Sequence, residues 1–317
     1  MRALTIISSF LILISCSETK KKHNDREKDE LLGNVTQIKE NKYEAFEKFG
    51  EISTGASCGN IMNNTLKKYN NQGNIKEEYY YNNDGTLHSK YIYEYDERGR
   101  LTEQSSFSAN GNLEFKSTFK NDDKGNIIER IGTPSSPQFT SDGFRRTFVF
   151  DKNGNMIESC DYNSSGNLNS KAVNKFDNIG NLIEAREYNG DGSLWYINTF
   201  KYDSIGNVVE EINYDSKDSI QNRTTKKYNT NGIIAEKIIY RRSAEDNKIY
   251  QKDRWIFDSK GNEIEIYKVE NGGVSKYSFK YEYDDNNNWV KKIEFINAYP
   301  IEKDVPRYIT IREIQYN

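Results

Sequence analysis

Glutamate recurs along this chain at Glu77, Glu103, Glu129, Glu158, Glu184, Glu210, Glu236 and Glu265. If successive segments stack, these carboxylates form a column that suits cations or a basic partner. Cross-strand pairing with the abundant Lys and Arg accounts for the same column without a ligand, and it guards strand register. Acid–base hydrolysis needs two carboxylates with environments that push their pKa values apart, and a column of equivalent glutamates provides none. The only histidines are His23 and His88, and His23 lies in a polar linker, which leaves little for imidazole catalysis or a zinc site. Cys58 and Cys160 are far apart in sequence. An oxidising compartment permits a bridge, but Cys160 falls mid-strand in the repeat described below, so both read as unpaired small hydrophobes. The Asp/Asn-rich turns suggest calcium by composition, yet none supplies alternating ligands closed by a bidentate Glu. Asp284 to Asn288 comes nearest and simply occupies a turn. The expectation is no catalytic residue, no metal and no cofactor.

Tryptophan is more informative. Trp255 and Trp289 occupy offsets that hold apolar or aromatic residues in other segments. The column of Trp195 contains His88, Glu114, Asn169 and Gln221, a solvent-facing composition. Trp195, flanked by Tyr196, is therefore the candidate partner-binding site, suited to stacking on a sugar ring or anchoring a protein.

The elements that position these residues follow from a repeat. Glycines stand at Gly73, Gly99, Gly125, Gly154, Gly180, Gly206, Gly232 and Gly261, with Asn287 next, at spacings of 26 or 29. A second series, Gly85, Gly111, Gly166 and Gly192 with Asp218 in register, falls 12 residues after a major glycine. An aromatic precedes most major glycines by four, as at Tyr69, Tyr95, Phe150, Phe176, Tyr202, Tyr228, Phe257 and Tyr283, with Asn121 the exception. Asp or Asn followed by glycine at positive φ is hairpin chemistry. Apolar residues two after the glycine and aromatics eight after it stand at even offsets, so they are expected on one strand face as a continuous ladder. The sequence thus predicts an all-β protein, an elongated antiparallel meander or spiral sheet of about 18–20 strands built from 26-residue two-hairpin units. The insertions at 131–143 and 241–254 are expected to leave the sheet and carry recognition.

The signature Tyr/Phe-Asp-x-x-Gly-Asn/Arg-Leu/Ile, as in EYDERGRLTE and KFDNIGNLIE, resembles the YD repeats of the RHS family of bacterial cell-surface proteins over residues 64–297. Shell-forming RHS proteins have many more repeats and a core-terminating motif before a toxin domain, and neither is found here. The chain more closely resembles short lipid-anchored proteins with a YD-type array alone.

The N-terminus fits that resemblance. Residues 1–15 combine Arg2 with an apolar run too short to span a bilayer, and the run ends Leu13-Ile14-Ser15-Cys16. This resembles a bacterial lipobox, which implies cleavage before Cys16 and covalent lipid on its sulfur and amine. Several acyl chains hold a protein at a membrane without a spanning helix. Ser17 after the cysteine resembles an outer-membrane sorting context, with the periplasmic or cell-surface face left open. Residues 16–30 read as a disordered tether because 17–30 contain no aliphatic or aromatic side chain. Residues 31–63 read as N-terminal cap strands and 298–317 as a closing strand.

Composition limits the partners. Lys and Arg number 45 against 48 Asp and Glu, a net charge of −3 that lacks the footprint of a nucleic-acid binder. Aromatics at 13% argue against general disorder despite a hydrophobic share of 35%. The expected function is a non-enzymatic, lipid-anchored outer-membrane protein with an array that binds or scaffolds a protein or glycan. The alternative is an immunity or antitoxin-like lipoprotein that neutralises a delivered toxin in the periplasm.

Overall fold

A computed structural model describes residues 24–58, 63–136, 142–243, 248–270, 273–298 and 301–317. The first element among the described residues is one helical turn, α1 (Asp25–Lys28). The chain continues through β1 (Val35–Lys48), β2 (Glu51–Ser57), β3 (Thr65–Tyr69), β4 (Ile75–Tyr81), β5 (Leu87–Tyr95), β6 (Leu101–Ser108) and β7 (Leu113–Asn121). Next come β8 (Ile127–Pro134), β9 (Phe144–Phe150), β10 (Met156–Asn163), β11 (Leu168–Phe176), β12 (Leu182–Asn189), β13 (Leu194–Tyr202) and β14 (Val208–Asp215). The last are β15 (Ile220–Tyr228), β16 (Ile234–Arg242), β17 (Ile249–Phe257), β18 (Glu263–Glu270), β19 (Gly273–Tyr283), β20 (Trp289–Ala298) and β21 (Ile301–Tyr316). All pairings are antiparallel.

The turns form where the glycine spacing places them. At the turn 177–181, Asp177 N–H donates to the Asn181 carbonyl (2.9 Å) and Gly180 N–H donates to the Asp177 carbonyl (3.1 Å). One Asp177 carboxylate oxygen accepts from the Ile179 and Asn181 amides, at 3.0 and 2.8 Å, and the other accepts from Asn181 Nδ2 at 3.0 Å. Gly180 has φ +88°, the left-handed conformation this turn requires. Asp218 and Asn287 adopt it at 59° and 63° where the series substitutes them for glycine. Short Asx side chains tolerate that region best among non-glycine residues.

Beyond these turns the register slips by one residue, as between Lys201–Glu210 and Tyr202–Val208. The repeated slip is a β-bulge, which bends and twists each hairpin in the same sense. The accumulated twist closes the sheet. β1 pairs through Val35–Glu44 with β21 on one side and through Gln37–Glu40 with β3 on the other. The result is a closed ring of 20 strands with β2 as an extra strand on β1. The expected elongated meander or spiral sheet is thereby corrected to a barrel, because a cap strand without the repeat signature finds a partner on both sides.

The seam is where the best-packed apolar cluster sits: Leu31, Val35, Ile38 and Tyr69, with Ile75, Ile314 and Tyr316 against it. A second cluster, Ile293, Phe295 and Ile309, lies under the β1–β2 hairpin with Ala45 and Ile52. Residues 24–30, expected within the tether, are docked by polar bonds rather than apolar burial. Arg26 N–H donates to the Gly73 carbonyl (2.9 Å), Ile75 N–H to Asp25 (2.9 Å) and Lys67 Nζ to Asp29 (2.8 Å). Across the seam Asn288, 3% exposed, accepts from Leu32 N–H and donates back to its carbonyl, both at 2.8 Å. The insertions stay in the sheet further than expected: β8 runs to Pro134, and β16 and β17 absorb 241–242 and 249–254.

Candidate functional site

Cross-strand partners share a face, so register divides the side chains into two sets. One face carries the glutamate column, and each of its carboxylates meets a cation. The pairs are Glu77–Lys68 (3.0 Å), Glu103–Lys116 (2.7 Å), Glu129–Arg145 (2.6 Å) and Glu158–Lys171 (2.8 Å). They continue with Glu184–Arg186 (2.9 Å) and Glu265–Lys276 (2.6 Å). Glu210 lies between Lys201 and Arg223, and Glu236 between Lys227 and Arg254. The hydrogen bond from Lys201, followed by that from Arg223, holds the Glu210 carboxyl below its usual range against the opposing effect of burial. Lys227 and Arg254 do the same for Glu236. The column is a neutralised ion-pair ladder, which is a structural role.

The opposite face carries the tyrosines that stand four before the turn glycines, and the bulge explains a difference from expectation. The even-offset ladder divides between faces: Val208 packs with Phe200, Ala185 and Tyr202, whereas Tyr214, opposite Ile197, lies on the glutamate face with Glu210. One bulged residue reverses the parity between them. The tyrosine hydroxyls have a job. Tyr202 donates to the Leu182 carbonyl (2.8 Å), Tyr228 to Val208 (2.9 Å) and Tyr95 to Ile75 (2.6 Å). Each acceptor is the first strand residue of the preceding unit, next to its bulge. Where the sequence has Asn121 instead of tyrosine, Asn121 Nδ2 donates to the Leu101 carbonyl (2.8 Å). Where it has Phe176, Asn174 Nδ2 supplies the bond to Met156 (2.9 Å). Burial first, with the nearby Asp177 charge second, pushes the Tyr202 phenol up to about 12.

Trp195 is exposed, at 56%, and its ring meets Tyr196 edge-on with centroids 5.0 Å apart. Adjacent strand residues normally diverge, but Trp195 is the bulged residue where register passes from Glu187–Tyr196 to Tyr188–Leu194. The two sequence-identified residues are thus brought together as one small aromatic platform. Trp255 and Trp289 are half-buried, under Lys237 and Arg312 respectively.

Near the β1–β2–β3 junction lies a cleft of about 400 Å³ lined by Lys39, Asn41, Tyr43, Asn64, Asn82 and Asp84 among others. Its lining is polar, unlike the mostly apolar lining of typical small-molecule sites. Cys58 and Cys160 are both free thiols. Burial pushes both up from the usual thiol range, which opposes thiolate chemistry. Among the described residues no cluster of three His, Cys, Asp or Glu side chains is placed to hold a metal. Cys16 lies outside the described residues. The carbonyl-capping role of Tyr and Asn was missed by sequence reasoning, although the regular aromatic four before most major glycines was its signal.

No family model matches the sequence, and no curated protein matches it. Among solved structures, a porin-like protein from Bacteroides uniformis superposes with TM-score 0.39 at 9% identity, covering 89% of this chain and 96% of that one. A porin-like protein from Bacteroides vulgatus gives 0.28 at 12% identity, covering 89% and 98%. A TcdB2–TccC3–Cdc42 structure gives 0.28 at 10% identity, covering 77% of this chain and 19% of that one. Superpositions this loose assign no function, and the closed ring rests on the strand pairings alone.

Proposed function

We propose that this is a non-enzymatic lipoprotein, held at the outer membrane by lipid on Cys16, with a closed tube of YD-type repeats that serves as a binding or scaffolding surface for a protein or glycan. The observation that carries the reading is charge on both faces of the sheet. The glutamate face has its ion-pair ladder, and the opposite face carries the Lys67–Glu78 cross-strand pair, Arg146 bonded to Asp161, and the Lys226–Lys237 pair. A barrel that crosses a bilayer needs one face with an apolar band about 25 Å tall. Among the described residues neither face supplies it, which favours a tube held at the membrane by its anchor rather than by its strands.

The test is metabolic labelling with palmitate, with carbonate extraction alongside. The intact protein should carry label and stay with membranes, and Cys16→Ser should lose both. A labelled Cys16→Ser protein, or an unlabelled native one, would overturn the anchor. Protease shaving of intact cells then separates surface display from periplasmic residence.

A further inference from the structure

Closure gives every ring strand a neighbour on both sides over at least part of its length. Among the described residues two stretches keep a neighbour on one side only: 301–307 of β21, which pairs with β20 and is guarded by Lys303 and Pro306, and β2, which pairs with β1 alone. An exposed edge is a template for an added strand, and proteins usually guard one with Lys, Pro or a very short strand. β2 reads EISTGAS, seven residues with no Lys, Arg or Pro. The hairpin that carries it turns at Phe49–Gly50, with φ of 55° and 82°. Such a turn favours Asn-Gly, and a left-handed aromatic costs about 1–2 kcal/mol. Phe49 is 96% exposed and Phe46 47% exposed, so packing does not offset that strain. Strained backbone under an exposed aromatic is grounds for a functional hypothesis.

Residues 44–51 carry three glutamates against one lysine, and with Lys303 3.7 Å from Glu47 the hairpin still keeps a net negative charge. A second copy of this chain would bring two such acidic hairpins together, and a seven-residue pairing is small beside the ~1,600 Å² of a standard interface. A basic extended segment meets neither objection. The hairpin also stands at the opposite rim from residues 24–34, which lie against the Gly73 and Asn288 turns. An anchor upstream of residue 24 therefore leaves it facing away from the membrane.

We propose that the open edge of β2 binds an extended, basic peptide segment of a partner protein by strand addition, with Phe46 and Phe49 covering the added strand. This deepens the binding-surface reading and rests on it. Backbone hydrogen bonds supply affinity in this mode and alternate side chains supply specificity.

The probe is a fluorescein-labelled Lys-Val-Lys-Thr-Lys-Val-Lys peptide titrated against the full-length protein by anisotropy, with a Glu-for-Lys analogue and a centrally proline-substituted analogue alongside. Saturable micromolar binding is expected, at least tenfold weaker for both analogues, together with slowed amide exchange over residues 51–57. Thr54→Pro should weaken binding at least tenfold. If that variant unravels β2 itself, the Phe46→Ala/Phe49→Ala pair, which leaves the backbone intact, should weaken it about fivefold. No saturable binding, binding without protection of 51–57, or a dimer that forms through β2 overturns the proposal. Failure here with palmitate label intact removes the edge site and leaves the anchored tube. Peptide binding without label removes the anchor and leaves the site.

Discussion

Tyr202 shows what the repeated aromatic contributes. Its hydroxyl meets the Leu182 carbonyl, which the adjacent bulge removes from the regular ladder. A buried carbonyl left without a donor costs about 1–3 kcal/mol. Tyr202→Phe is therefore expected to lower unfolding free energy by ~1 kcal/mol in urea titration, while Phe176→Tyr, where Asn174 already serves the Met156 carbonyl, should gain nothing. The same hydroxyls set the alkaline limit. Burial raises Tyr202 to about 12 and also raises Tyr95, Tyr228 and Tyr281, which likewise donate to carbonyls, from an unperturbed 10.0. A raised folded pKa means the unfolded chain loses protons first, so this stability is complete below pH 10 and falls as pH rises through the folded values. Tyrosinate absorbance should rise together with loss of far-UV dichroism above about pH 10. Phenols that ionise at 10 without unfolding would remove the capping role.

At the scale of the hairpin, the turn was legible and the face was not. Asp177, Gly180 and Asn181 bond to one another within five residues, so local sequence specifies them fully. Asn287 and Asp218 hold left-handed backbone that glycine adopts without strain. Asn287→Gly should gain about 0.5–1 kcal/mol, and Gly180→Ala, at φ +88°, should lose at least as much, both read as thermal midpoint shifts. The bulge is a register event between two strands, so offsets along one strand could not reveal it, and the expected single ladder became two. The glutamate column was legible for the same reason as the turns, because each partner lies on the same or a neighbouring strand. Glu210→Gln leaves Lys201 and Arg223 without their carboxylate and should cost about 1 kcal/mol at neutral pH. Its folded pKa is depressed below 4.5, so that difference should vanish as pH falls through the folded value. Trp195 was legible as exposed with Tyr196 beside it, but only the bulge at Trp195 explains their contact.

Closure belongs to the whole molecule, because it depends on residues more than 250 positions apart, such as Leu32 and Asn288. A one-dimensional repeat leaves two frayed ends, and the glycine-spaced signature says nothing about whether they meet. Here β1 and β21, neither with the signature, are the joint, and Val35 at 0% and Ile309 at 1% exposure are its best-buried side chains. Asn41 and Ile311 stand opposite each other in that pairing. Antiparallel partners have Cα atoms about 4.5–5.5 Å apart, inside disulfide reach. In an open spiral the same two residues sit on strands at opposite ends of the sheet and cannot touch. With Cys58 and Cys160 replaced by Ala, Asn41→Cys/Ile311→Cys should oxidise within one chain and migrate faster on non-reducing gels. It should also gain about 2–4 kcal/mol over its reduced form, since the bond closes a very long loop in the unfolded state. Asn288→Ala removes the Leu32 clasp, and if the clasp keeps the seam shut, that variant should expose new strand edges and aggregate on warming. A double-cysteine protein that stays reduced, or that links only between chains, would mean the ends do not meet, and the ring would have to be redrawn as a spiral.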